Sequence, residues 1–319
     1  MAEGGETVYP SDPGEAGLRL FLQWFGGYYA RSTAIEAHEA SESGVHRGVV
    51  NVGRRWRLAF SLLNTLAPDA DLPFEAARAA VEQRLDGARQ RVALWMPRGA
   101  HLPEGEPGLS QLLLQVAGAV DTEDGRKELR RPVSLYLRRQ GTSGSVVTIL
   151  GGLGGHWAQF TNRVPGTYYL NALELYRLPM SEELRDELTE RIVLAAGQPE
   201  ADDTQVIPAV DAWTVTPVEG DRAYVIGTPK PEDDNQASAL RRNLRALLRE
   251  AAPTLALAAD AKALIVLGAA TYADEEKLTW ALRGMDPTLY AGYDLLVVIA
   301  DGLVKPLLKP GRAVLPWDA

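Results

Sequence analysis

Imidazole and thiol chemistry are scarce in this chain. It has no cysteine and four histidines, His38, His46, His101 and His156. Thiolate nucleophiles, disulfide frameworks and cysteine metal sites are therefore excluded. Proton transfer near neutral pH falls to those four rings or to carboxylates shifted by their surroundings. His156 has the most suggestive neighbourhood. In VVTILGGLGGHW (Val146–Trp157) a β-branched run stops at Gly151, Gly152, Gly154 and Gly155 and passes straight into His156 and Trp157. Glycines there permit positive φ and close approach of a ligand to the backbone. Amides turned inward after a buried strand can hold a phosphate, with His156 as donor or proton carrier. The spacing fits neither phosphate signature. Gly-His-Trp stands where a Walker loop needs Gly-Lys-Ser/Thr, and Trp157 stands where a dinucleotide fingerprint begun at Gly152 needs its third glycine. A hinge or bulge that turns Trp157 and Phe160 into a core accounts for the same residues. These six residues, 151, 152 and 154–157, are the expected ligand site if the loop is more than a turn.

Four other constellations carry charge. His38, Glu42 and His46 would share one helix face at i, i+4 and i+8, a spacing compatible with a metal. HEASE, however, has Glu42 where the zinc-protease pattern places its second histidine, and Ser43-Gly44 ends the helix, so a solvated acidic helix end is expected. Glu232, Asp233 and Asp234 precede a helix and suit its N-terminal dipole, and no metal or other cofactor is expected. Two basic groups could meet a polyanion. Arg54, Arg55 and Arg57 surround Trp56, while Arg126, Lys127, Arg130, Arg131, Arg138 and Arg139 bracket a strand at 133–137, with Glu123, Asp124 and Glu128 available to neutralise them. Gly141-Thr142-Ser143-Gly144-Ser145 lacks the nucleophile-elbow spacing and suits a hairpin turn.

The elements that must position these residues follow from periodicity. Leu18, Phe21, Leu22 and Phe25 predict a helix from Glu15 towards Ala40, broken near Gly26-Gly27. Trp56, Phe60 and Leu63 predict another over Arg54–Leu66. A third begins near Asp71, with Pro73 in its first turn and Phe74, Ala77, Val81 and Leu85 on its apolar side. Alternation predicts strands over 92–96, 133–137, 145–150, 167–170 and 173–176. Helices are expected from Pro107 and, capped by Ser181, over 182–196. Beyond these come short strands at 213–218 and 222–227, then a helix over 236–251 with Leu240, Leu244, Leu247 and Leu248 inward. Ala263–Gly268 and Asp294–Ala300 are continuous apolar strands around a helix at 274–283, the pattern of a βαβ unit. The proline-bearing tail suits an edge strand.

Together these predict an α/β or α+β chain with N-terminal helices, a mostly antiparallel sheet and a C-terminal βαβ-containing part. The domain expectation is a flexible leader at 1–14, a mixed domain at 15–196, a linker at 197–208 (GQPEADDTQVIP) and a smaller α/β domain at 209–319. With 319 residues and 46% apolar content, the chain can fill a sizeable core. Net charge is −9, and both parts are acidic, with 12 basic and 18 acidic side chains in 200–319. A whole-face footprint for nucleic acid is thus not supported, although local patches remain. No signal peptide or long apolar run occurs, so a soluble cytoplasmic protein is expected. Twenty-seven arginines against six lysines suggest a GC-rich prokaryotic source.

The order of elements after residue 182 (helix, two strands, helix, strand, helix, strand) resembles the core of the PD-(D/E)XK nuclease fold. That resemblance implies a metal-binding Asp near one strand end and Glu-x-Lys in the next. Asp221 could be the first. The next strand offers Lys230 without its acid, and the one Glu-x-Lys, Glu275-Glu276-Lys277, falls at a helix start. Two functions follow. The leading one is a non-catalytic binding or assembly subunit with a protein partner or a homo-oligomer, given few catalytic groups, seven tryptophans and eleven tyrosines. The other is a metal-dependent, nuclease-like enzyme on a phosphate-bearing or nucleic-acid substrate, built around His156.

Overall fold

The computed structural model describes residues 10–66, 72–150, 163–198, 204–228, 236–268, 285–308 and 315–318. Helix α1 (Pro13–Tyr29) starts where Asp12 accepts the Gly14 amide at 2.8 Å, with Pro13 in its first turn. It runs through Gly26-Gly27 and stops at Ala30, which is left-handed with φ 50°. The chain then extends. Strands β1 (Thr33–Ala40), β2 (Val45–Val52) and β3 (Trp56–Asn64) form an antiparallel meander. The helices expected towards Ala40 and over Arg54–Leu66 are therefore strands. β3 is buried from Leu58 to Asn64 on both faces, so its apolar residues carry no period from which to tell helix from strand.

The first sheet has the order β1-β2-β3-β11-β12-β13, where β11 is Ala261–Leu267, β12 is Leu295–Ala300 and β13 is Leu303–Leu308. β3, β11 and β12 are parallel, as expected for the continuous apolar runs, and β13 pairs antiparallel at the edge despite Pro306. Leu58, Phe60, Leu62, Ile265 and Val297 pack with α1 on one face. Leu63, Leu264 and Val266 pack with the leucines of Gln236–Ala251 on the other.

The second sheet runs β10-β4-β9-β6-β8-β7, with β5 (Val120–Asp121) beside β6. Its strands are β4 (Val92–Trp95), β6 (Lys127–Gly141), β7 (Ser145–Leu150), β8 (Gly166–Asn171), β9 (Gln205–Pro217) and β10 (Tyr224–Ile226). Helices α2 (Leu72–Gly87) and α3 (Glu106–Ala117) cover one end. Helix α4 (Glu182–Ala196), capped by Ser181, covers the other, and α5 is the Gln236–Ala251 helix. The residue 141–145 turn does not make a hairpin: β8 lies between β6 and β7, and β7 pairs parallel with β8. Residues 173–176 form no strand. β9 is continuous from Gln205 to Pro217, across the expected boundary at 208, and both sheets take strands from either side of it. The elements after 182 that resemble a nuclease core are divided between the two sheets: β9 and β10 in one, β11 and β12 in the other. Asp221 lies in the turn before β10; Lys230 and Glu275–Lys277 lie outside the described residues. The sheets meet where Trp95, Tyr224 and Ile226 join the α1 core, and where Arg126 donates to the carbonyl (2.7 Å) and carboxylate (2.9 Å) of Asp301.

Candidate functional site: a groove beside the first helix

A groove of about 840 Å³ runs between α1 and β1. Asp12, Glu15 and Arg19 line it from the helix, Thr33, Ile35 and His38 from the strand, and His46 forms part of its floor. The two histidines meet because the β1–β2 hairpin folds them together, Ala40 facing His46 and His38 facing Gly48. His46 is 1% exposed. Its Nδ1 lies 3.0 Å from His38 Nε2, with the rings nearly parallel. Its Nε2 lies 3.1 Å from Asp12 Oδ2, an ion-pair distance without the alignment of a hydrogen bond. Gly14 makes room for the ring, since a Cβ there would stand 2.0 Å from His46 Nε2.

One tautomer satisfies both contacts. With the His46 proton on Nε2, towards Asp12, Nδ1 accepts from His38 Nε2–H, and His38 Nδ1 keeps a lone pair. A proton taken there can be stabilised through His46 by Asp12. Burial pushes the His38 pKa down, the neighbouring His46 adds to that, and Glu15 and Asp12 oppose it. Burial favours the neutral form of Asp12, yet His46, the Gly14 amide and Arg78 together hold its pKa below the ordinary carboxylate value.

The groove's cations are already engaged. Arg19 grips Glu15 at 2.7 and 3.2 Å and donates to the Glu219 carbonyl at 3.2 Å. Arg31 donates to the Trp317 carbonyl at 3.4 Å. Outside the groove lining, Trp24 stacks on Tyr28, which is 63% exposed. The far wall is β1 itself. It is the edge of its sheet and is exposed at every position after Thr33.

The helix face expected for His38, Glu42 and His46 does not exist, because the segment is a hairpin with Glu42 in its turn; the two histidines nevertheless converge. Asp12, the third member, sits in the stretch expected to be a leader, and only its place before a proline and a helical run announces it as a cap. His101 lies elsewhere, edge-on to Tyr176. Gly151, Gly152, Gly154, Gly155, His156 and Trp157 lie outside the described residues. The basic candidates form no single patch. Arg54 and Arg55 occupy the β2–β3 turn, Arg55 over Trp56 at 4.4 Å, and Arg57 binds Glu36 through two nitrogens. On the other sheet Arg130 pairs with Glu128 at 2.8 Å, Arg131 covers Trp213, Arg139 lies near Tyr168, and Arg138 is exposed.

Among the described residues no three His, Asp or Glu side chains converge as a metal set, and no helix is long and apolar enough to cross a membrane. The chain matches no family model, no curated protein and no solved structure.

Proposed function

We propose that this chain is a non-catalytic binding or assembly subunit of a prokaryotic cytoplasmic complex, and that the free edge of β1 with its groove is the docking site. The observation that carries this reading is the exposure of β1, an eight-residue edge strand bare on both faces. An unpaired edge presents a row of backbone donors and acceptors, a template on which an extended partner segment can add as a further strand. Alternate side chains of that segment would point into the groove, towards Asp12, Glu15 and His38. Its lining carries three carboxylates, Asp12, Glu15 and Glu219, against the two guanidinium groups of Arg19 and Arg31, so a lysine or arginine on the partner suits it best. Leu18, Leu22 and Ile35, which line the groove, supply aliphatic contacts for the partner's apolar side chains.

Selection of a random ten-residue peptide library on the immobilised protein tests this. The expected winners alternate aliphatic and basic residues, and N-methylation of alternate backbone nitrogens weakens them at least tenfold. Equal binding by the methylated peptides, or no enrichment, contradicts the reading.

The second reading, an enzyme on a phosphate-bearing substrate, is favoured by one observation: Asp12, His46 and His38 stand in line at 3.1 and 3.0 Å, and His38 occupies an exposed position of β1. Cleavage of labelled DNA and RNA with Mg²⁺ or Mn²⁺, repeated with His38→Ala and His156→Ala, tests it. Activity lost in either variant supports it; none in any protein removes it.

A further inference from the structure

The β9-β6-β8-β7 half of the second sheet has one covered and one open face. Leu135, Leu137, Tyr168, Leu170 and Ile207 point to α4 and are buried with it. The residues between them point the other way, and several are large and exposed: Tyr136 (42%), Val146 (54%), Leu150 (41%) and Val206 (58%). Strand register arranges this face in rows. Arg138 of β6 stands opposite Tyr169 of β8, which stands opposite Thr148 of β7. In the next row Tyr136 lies between Val206 and Asn171, with Leu150 beyond. Tyr136 and Tyr169 are thus diagonal neighbours on adjacent strands, where backbones lie about 7–8 Å apart.

We propose that this open face is a short binding platform for single-stranded nucleic acid, independent of the β1 edge. Bases freed from a duplex stack on aromatic rings borne by an open sheet, with guanidinium groups beside them for phosphate or further stacking. Tyr136 and Tyr169 provide two rings, and Arg138 an exposed cation in the Tyr169 row. Thr148, Ser134 and Asn171 offer donors and acceptors at the same level. Charge selects this occupant over a protein. Along the β6, β7, β8 and β9 positions on this face, among the described residues, the one carboxylate is Glu128. It is buried and taken up by Arg130 and by the Met180 amide. The positive charge of Arg138 is therefore uncompensated locally, although the chain as a whole carries −9. That acidity keeps the footprint short, two or three nucleotides, and the affinity modest.

Fluorescence anisotropy of fluorescein-labelled oligo(U) and oligo(dT) ten-mers at about 50 mM salt tests the proposal, salt being specified because it governs such affinities. Wild type is expected to bind both, with log K falling against log[salt] at a slope no steeper than about −1.5, since each neutralised phosphate of a single strand contributes roughly −0.7. Tyr136→Phe keeps the ring and is expected to bind as wild type. Tyr136→Ala and Tyr169→Ala are each expected to weaken binding roughly 5- to 150-fold, the range for removal of one stacking ring. Arg138→Ala is expected to weaken it less and to flatten the salt slope. Circular dichroism melts establish that each variant is folded. No binding by wild type, or unchanged binding by the folded Tyr136→Ala/Tyr169→Ala protein, overturns the proposal. So does light scattering that finds a dimer dissociated by Tyr136→Ala, which would make the face a contact between copies.

Discussion

Each face of the first sheet carries a polar cluster, and the two are built to opposite ends. Under α5, Ser61 donates to Thr254 at 2.8 Å and shares a hydrogen bond with Tyr293 at 2.9 Å, and the Tyr293 hydroxyl also reaches the Ala251 carbonyl at 3.4 Å. All three residues are at most 1% exposed. Burial pushes the Tyr293 pKa up, and the hydrogen bond with Ser61 opposes this. Under α1, only the middle of the Asp12–His46–His38 line is as deep: His46 is 1% exposed, whereas the Asp12 side chain is 46% exposed and His38 lies on an uncovered strand. A closed network in a low-dielectric interior fixes the packing and offers nothing to a ligand. An open one gives up part of that stability and leaves a titratable group accessible.

Substitutions should separate the two clusters. The largest effect is expected for Tyr293→Ala, which empties a fully buried aromatic site. Unfolding free energy from urea titration should fall by about 3–5 kcal/mol, while selected peptides bind the folded fraction as before. A loss below about 1 kcal/mol would mean the closed cluster is not structural. Gly14→Ala comes next, because the added methyl must displace the His46 ring; about 1–3 kcal/mol is expected from overpacking. His38 and His46 NMR signals should shift with it, and unmoved signals would show that Gly14 does not seat the ring. Asp12→Ala should cost about 1 kcal/mol as a lost helix cap, whereas Asp12→Asn, a cap of equal quality, should cost a few tenths. Asp12→Asn should still change the titration of His38, to which the Asp12 charge contributes; if the two substitutions cost the same, the charge rather than the cap was stabilising.

The smallest effect is in pH dependence. The folded-state pKa of His38 is lowered below 6.5, so the unfolded chain binds more protons in that range. Its contribution is fully present above pH 6.5 and is lost as pH falls through the folded value. Urea unfolding of wild type at pH 7.5 and 5.5 should therefore show a larger drop than His38→Ala. Equal drops would place the His38 ring in an environment no different from solvent.

Much of the frame was legible in the sequence. The α4 and α5 stripes, the Ser181 cap and the parallel β11–β12 pair follow from local periodicity, because each element's own residues define its buried face. β1 and β3 were not legible in the same way. In β1 nothing is buried to set a period, and in β3 almost everything is. The site was half visible: His38 and His46 stood out by type, but their meeting depends on hairpin register rather than on helical spacing. Asp12 was hidden because the packing of α1 against the sheet, not its neighbours in sequence, decides what an N-terminal cap will touch. The Glu82 carboxylate on the Ser11 amide, 71 positions away, shows the same dependence.

The most direct test of the account is backbone amide hydrogen exchange of residues 33–40 with and without a selected peptide. Strand addition predicts that alternate β1 amides become protected and that amides facing β2 barely change. Protection that appears elsewhere, with β1 exchanging as freely as before, would contradict docking at the β1 edge.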